Sequence, residues 1–232
     1  MSPAGGERGI RVAVDGPAAS GKSTTARAVA DRLGYAHLNS GLLYRAVTWA
    51  GLEGGWLDAG RREFARRVEE LELDLRRADG EFVVEVDGRR PGEELTTRAV
   101  SRRVSDVAAR APAREKALEE LRSAGRSGGV VCDGRDIGTV VFPDAELKIY
   151  LVATAEERAR RRLLDYGEEP TEERIAAEAE RLRARDEKDA SRELAPLRKP
   201  EDAVEIDTTD LRPSEVVDRI VSLARDRGAG EG

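Results

Sequence analysis

Gly16, Gly21, Lys22 and Ser23 stand in the spacing G-x-x-x-x-G-K-S, inside the run DGPAASGKST from Asp15 to Thr24. Residues of these types at this spacing handle phosphate. Glycines let successive backbone N–H groups turn inward on an anion, a lysine reaches the β- and γ-phosphates, and a hydroxyl is a ligand for Mg²⁺. The whole cradle, Gly16, Pro17, Ala18, Ala19, Ser20, Gly21, Lys22, Ser23 and Thr24, is therefore a candidate site for a nucleoside triphosphate. The motif names a donor and leaves the recipient open, because GTPases, ATPases and small kinases share it.

Other residues with chemical potential are scattered along the chain. Asp133 closes the apolar run Gly129 to Cys132, and the loop from Gly134 to Thr139 carries Arg135 and Asp136. Ser40, Tyr44 and Arg45 sit at i, i+4 and i+5, so Arg45 is placed to hold an acceptor's phosphate, while Ser40 also suits a helix cap. Arg181, Arg185, Lys188 and Arg192 are spaced 4, 3 and 4 and share a face if one helix persists that far, with Asp189 a turn beyond Arg185. Taken singly, each residue of this helix reads more readily as part of a solvated helix laced with ion pairs. All but five of the 40 basic residues are arginines, so a lone arginine carries little weight. Ser105 and Arg114, by type and context, read as solvated helix residues.

These residues need a scaffold, and the patterning describes one. Ile10, Val12 and Val14 have strand character, and Thr25 to Leu33 forms an Ala-rich helix after the glycine turn. A short strand follows at Tyr35 to Leu38, then helices over Leu42 to Leu52 and from about Asp58 to Glu70. Leu71 to Leu75 and Phe82 to Val86 alternate with period two about a turn at Ala78 to Glu81, which makes a β-hairpin. In a chain otherwise reading β-α-β-α, it predicts an inserted subdomain on a sheet separate from the parallel core. Two helices follow Thr96, with Pro112 opening the second. Gly129 to Asp133 is a buried parallel strand with its acid at the carboxyl end, where open α/β sheets bind ligands. Leu147 to Val152 and Ala203 to Asp207 are further strands, with helices over Thr154 to Leu164, Thr171 to Ala190 and Pro213 to Arg225.

Composition narrows the function. At 232 residues with a net charge of −6 and 4% aromatic residues, the chain suits one α/β domain with an insertion and lacks a stacking surface for nucleic acid. Cys132 and His37 are each the only residue of their type, which excludes an internal disulfide, a zinc site and a cysteine–histidine dyad; His37 reads as a structural residue. There is no run of membrane-span length, and we expect a soluble, cytoplasmic chain, with no apolar helix face arguing for more than a monomer. Catalysis should rest on Lys, Arg, Asp and a metal ion.

As a set, DGPAASGKST at Asp15 to Thr24, NSGLLYR at Asn39 to Arg45, DGRDIGTVVFPDA at Asp133 to Ala145 and ARDEKDASRELAPL at Ala184 to Leu197 resemble the bacterial cytidylate kinase family, a branch of the P-loop nucleoside monophosphate kinases. The resemblance spans nearly the whole chain. It implies an α/β fold: a P-loop NTPase core of parallel strands flanked by helices, an inserted monophosphate-binding subdomain containing the β-hairpin, and a helical lid. The boundaries it suggests are a disordered 1–9, core over 10–53, monophosphate-binding subdomain over 54–110, core over 111–153, lid and arginine-rich helices over 154–192, core over 193–227 and a disordered 228–232.

The reaction implied is phosphoryl transfer from ATP, with Mg²⁺, to CMP or dCMP. By motif, Ser40, Arg114, Asp136 and Arg192 would face cytosine, Ser105, Arg185 and Asp189 the sugar, and Arg45 and Arg135 the acceptor phosphate. Lys22, Arg135 and Arg185 would be catalytic, and Ser23 and Asp133 would hold the metal, Asp133 through water or from behind the ligands. Arg158 to Arg162 would lie in the lid, without individual roles. Cytosine's pairing edge has an amino donor at N4 and acceptors at N3 and O2, which suits one carboxylate and two arginines. Two alternatives stay open: a related kinase for another monophosphate or a shikimate-like acceptor, and a nucleotide-gated regulatory module.

Overall fold

The central strand β1 (Arg11–Asp15) is apolar on both faces, with Val12, Ala13 and Val14 fully buried. That pattern belongs to a parallel strand covered by helices on both sides. The structure, a computed structural model, describes residues 9–230. After β1 come α1 (Lys22–Leu33), β2 (Ala36–Asn39), α2 (Gly41–Glu53), α3 (Arg61–Glu70), β3 (Leu73–Ala78), β4 (Glu81–Val86), α4 (Arg98–Ala108), α5 (Ala111–Ala124) and β5 (Val130–Gly134). The chain continues through a π-helical turn (Ile137–Val141), β6 (Leu147–Val152), α6 (Ala155–Asp165), α7 (Glu172–Ala190), β7 (Val204–Asp207) and α8 (Pro213–Arg225).

The seven strands form one sheet in the order β3-β4-β2-β5-β1-β6-β7. The antiparallel hairpin β3–β4 extends that sheet, which corrects the expectation of a separate one. Residues up to His37 with those from Ser127 form one compact unit, and Leu38–Arg126 form a second.

In the first unit, β1 lies between β5 and β6, both parallel to it, with Val14 opposite Asp133 on one side and Ile149 on the other. The register brings Asp15 and Asp133 to the carboxyl ends of adjacent strands. One core cluster joins β1 and β6 to α1 and α8 through Val12, Val29, Leu33, Ile149, Ile220 and Val221. A smaller apolar cluster holds α6 to α7, built from Ala159, Leu163, Ile175, Ala179 and Leu182, and it also takes in Ala18 of the glycine-rich loop. Both helices start on threonine caps: Thr154 accepts from the Glu157 N–H and Thr171 from the Arg174 N–H, with acidic residues in each first turn.

In the second unit, Leu73 of β3 pairs with Val86 of β4 and Ala78 with Glu81, a regular antiparallel register. Asp79 and Gly80 form the connecting turn with φ of 50° and 82°, the left-handed conformation a tight hairpin needs. Trp56 and Phe64 meet in its core with ring centres 5.8 Å apart and planes tilted by 60°. Ser40 stands at the head of α2 but its side chain does not cap it; Asn39 Oδ1 accepts from the Gly41 N–H instead, at 2.9 Å. The disorder expected at both termini lies largely outside the described residues, within which Gly9 C=O accepts from the Gly129 N–H and Ala229 is buried in the core.

Candidate active site

At the end of β1 the backbone turns through Gly16 (φ 150°), Ala19 (φ 58°) and Gly21 (φ 83°) before α1 begins at Lys22. The loop thus ends on the positive pole of a helix, the natural seat of an anion. The Lys22 ammonium is buried within it and donates to the Pro17 carbonyl at 2.5 Å and the Ser20 hydroxyl at 3.3 Å. Burial, reinforced by the Arg135 charge, lowers the Lys22 pKa well below that of a free lysine, against the pull of Asp133, Asp15 and Asp186. A phosphate would favour the charged form.

Ser23 donates to Asp133 Oδ2 at 2.6 Å, and His37 Nε2 lies 2.8 Å from the other oxygen, Oδ1. The histidine is 3% exposed. His37, read from sequence as a structural residue, is buried and orients the Asp133 carboxylate that Ser23 contacts. A hydroxyl and a carboxylate side by side fit a small hard cation that keeps waters and substrate oxygens as its remaining ligands. Among the described residues there is no cluster of three or more His, Cys, Asp or Glu side chains able to hold a metal by themselves.

The loop after β5 is tied to the first by Asp15. Its buried carboxylate accepts the Ile137 N–H at 2.8 Å and the Gly138 N–H at 2.7 Å. Desolvation raises its pKa to about 6, the two peptide hydrogen bonds opposing it, with Asp136 adding a smaller upward push and Lys22 a downward one. Asp136 heads the π-helical turn and is 4% exposed. Arg135 donates to Asp189 Oδ2 at 3.2 Å, and Arg192 pairs with Asp189 Oδ1. Arg135, Asp189 and Arg192 are therefore one ionic cluster, while Arg185 lies on α7, a turn before Asp189. Helix α7 stops at Ala190, so Arg192 lies beyond the helix that spacing alone would have extended to it; Arg181 is exposed and bonded to Glu178.

Within the second unit, Arg45 donates to the Leu95 carbonyl at 2.9 Å and the Ser101 hydroxyl at 3.1 Å. Arg114 donates to the Ala108 carbonyl at 3.1 Å and lies over the Tyr44 ring, 5.6 Å from its centre. Ser40, Ser105 and Arg114 are all buried. The solvated reading of Ser105 and Arg114 is thereby corrected: both side chains are held inside the fold, where a polar group is kept only with partners.

A family model described as "Cytidylate kinase" matches residues 12–226. The chain belongs to the cytidylate kinase family. It is 43% identical over 228 residues to a protein named cytidylate kinase from Geobacter sulfurreducens, covering 97% of this chain and 96% of that one. It is 40% identical over 228 residues to another of that name from Anoxybacillus flavithermus, covering 97% and 100%. Among solved structures it resembles an uncharacterized protein from Eubacterium ventriosum with a TM-score of 0.50 at 10% identity, covering 93% of this chain and 98% of that one, a likeness of fold alone.

The lid arginines expected of a cytidylate kinase family member separate on inspection. Arg158 is buried and bonded to the Ala153 and Ala18 carbonyls and to Asp186. Arg161 is half-buried, donating to Glu157 and to the Thr208 hydroxyl and carbonyl. Arg162 reaches the Tyr166 hydroxyl at 2.6 Å, and Arg160 is exposed. No spacing rule in the sequence distinguishes these four. Among the described residues, no helix is long and apolar enough to cross a membrane.

Proposed function

We propose that this chain transfers the γ-phosphoryl group of ATP reversibly to CMP or dCMP, giving ADP and CDP or dCDP. What carries the reading is a phosphate loop whose Ser23 is bonded to Asp133, with a half-buried Arg135 and a buried Asp136 just after that aspartate, in a chain matching the family from residue 12 to 226. Residues 16–24 take the triphosphate. Ser40, Arg114, Asp136 and Arg192 serve cytosine, Ser105, Arg185 and Asp189 the sugar, and Arg45 and Arg135 the acceptor phosphate. Residues 54–110 act as the monophosphate-binding subdomain and 154–192 as the lid.

No general base is required, because the acceptor phosphate is already an anion. Catalysis is alignment and neutralisation of charge by Lys22, Arg135 and Arg185. Ser23 and Asp133 would hold Mg²⁺, which when bound neutralises charge on the triphosphate oxygens. Lid closure keeps water from taking the phosphoryl group. Asp136 reads the N4 amino group; uracil presents an oxygen there, and a buried polar group left unpaired costs about 1–3 kcal/mol. The protein acts as a cytoplasmic monomer with small-molecule partners and no nucleic-acid or membrane partner, a state that sedimentation checks.

A panel of acceptors tests the activity. CMP and dCMP should be phosphorylated at least about tenfold faster than UMP or AMP, and Asp136→Ala should collapse the preference over UMP. Faster turnover of AMP, UMP or shikimate would overturn the acceptor assignment. ATP hydrolysis indifferent to CMP would point to a nucleotide-gated module instead.

A further inference from the structure

Among the lid arginines Arg158 alone is closed inside a ring of protein groups. Its Nη1 donates to Asp186 Oδ2 at 2.5 Å and to the Ala18 carbonyl at 3.0 Å, and its Nε to the Ala153 carbonyl at 3.2 Å. Asp186 Oδ1 accepts the Ala18 N–H at 3.1 Å. Both polar backbone groups of one phosphate-loop residue are thus held, the carbonyl by an arginine of α6 and the N–H by a carboxylate of α7.

We infer that Arg158 and Asp186 are a positioning pair that sets the peptide orientations of the phosphate loop at Ala18, and that Arg158 is not a ligand of ATP. The inference rests on residues 16–24 being the ATP site.

The geometry is decisive because a peptide unit is planar, with C=O and N–H pointing opposite ways. Holding the Ala18 N–H fixes the Pro17 carbonyl of the same unit, and that carbonyl is where the Lys22 ammonium donates. Holding the Ala18 carbonyl fixes the Ala19 N–H, which turns away from Arg158. Ala19 has a φ of 58°, a conformation that an alanine adopts only when its surroundings impose it. The Ala18 methyl group adds a third constraint, packed among Ala159, Leu163, Ile175, Ala179 and Leu182. A pair that merely bound α6 to α7 would have no use for an oxygen directed at the loop's N–H. The arrangement makes the shape of the anion cradle depend on the α6–α7 hairpin, so the lid and the triphosphate site are set together.

The test compares Asp186→Asn, Arg158→Lys and the double variant, measuring ATP and CMP affinity by calorimetry beside thermal melting. Asp186→Asn is the informative member, since removing a negative charge near a triphosphate would by itself strengthen binding. If the pair positions the loop, each single variant binds ATP about tenfold more weakly, CMP affinity moves less than about twofold, and the double variant is no worse than the poorer single. Native ATP affinity in Asp186→Asn beside a loss in Arg158→Lys would make Arg158 a direct ligand and overturn the inference. So would losses that multiply in the double variant, or ATP and CMP affinities falling together with the melting temperature. Should Asp186→Asn not fold, Asp186→Glu keeps the charge, moves the oxygens by one methylene, and should show the same selective loss for ATP; native ATP affinity there also overturns the pair. If the wild type binds ATP but does not phosphorylate CMP, the acceptor reading fails and the pair stands.

Discussion

Two loops leave the carboxyl ends of the neighbouring strands β1 and β5, and they differ in how much of their shape is written locally. The first, from Gly16 to Gly21, has a positive φ at three of its six residues: Gly16, Ala19 and Gly21. Its turns are written locally, in glycines and the positive φ of Ala19, and the Arg158–Asp186 pair adds a hold on the one residue Ala18. The second, the described residues Gly134 to Val141, has no positive φ at all and hangs on the Asp15 carboxylate through two peptide N–H groups. Its shape is borrowed from a residue more than 120 positions away in sequence. A loop whose turns are written locally fails most when its glycines change, whereas one with no such turns fails most when its distant anchor does.

Gly16→Ala gives the largest expected effect. A Cβ there would lie 2.2 Å from the Leu151 carbonyl oxygen and 3.2 Å from the Ser20 hydroxyl. Backbone cannot yield cheaply, and the loop must move by most of an ångström. ATP affinity should fall by about 100-fold or more, equivalent to about 3 kcal/mol, measured by calorimetry. A variant that binds ATP within twofold of wild type would show that the loop is not shaped by its glycine.

The anchor of the second loop should reveal itself in the pH dependence of stability. Folding raises the Asp15 pKa from 3.8 to about 6. The folded state therefore holds this proton more tightly than the unfolded chain does, so the contribution is complete below about pH 4, declines as pH rises towards 6, and is absent above it. A carboxyl group whose pKa rises this far on folding contributes roughly 2–3 kcal/mol while it is protonated. Relative to Asp15→Asn, which cannot titrate, wild type should lose stability between about pH 4 and 6 in denaturant melts. Parallel curves for the two proteins would remove Asp15 from the account.

The same variant breaks the loop at neutral pH. An asparagine can accept only one of the two N–H groups now held, and an orphaned buried N–H costs about 1–3 kcal/mol. With the turn that carries Asp136 loosened, KM for CMP should rise about tenfold while KM for ATP changes less. Equal changes in both would mean that Asp15 supports the first loop as much as the second.

That contrast also explains what could be read in advance. The phosphate loop, the hairpin and the alternation of strands and helices were legible because each is encoded within a dozen residues: glycine spacing, period-two alternation and runs of helix formers. Proximity between strands was not. His37 looked inert because the sheet order that brings β2 alongside β5, and so the ring to Asp133, is no property of the residues around it. Asp15 lay at the head of the glycine motif without a role, since its partners are at Ile137 and Gly138. Arg158 was indistinguishable from Arg160, Arg161 and Arg162 in a chain rich in arginine, and only burial separates it. Ser105 and Arg114 gained their candidate roles from the family likeness, and nothing in their local pattern foretold that they would be buried.

The smallest effect is the sharpest comparison, because it repeats the first substitution in the other loop. A Cβ on Gly138 would meet Pro200 Cγ at 3.0 Å and Lys148 Cδ at 3.1 Å. Both contacts are side-chain atoms, and the lysine stem can rotate away while its ammonium keeps to Asp202, which accepts from it at 3.0 Å. The Gly138 N–H on Asp15 survives the change, as alanine retains the donor. Gly138→Ala should therefore cost about 1 kcal/mol or less and leave KM for CMP within about twofold of wild type. The same added methyl group is then severe where a carbonyl stands in its way and mild where a flexible side chain does. A tenfold loss of CMP affinity in Gly138→Ala would mean that the second loop, too, depends on its glycine, and the distinction between local and distant shaping would fall.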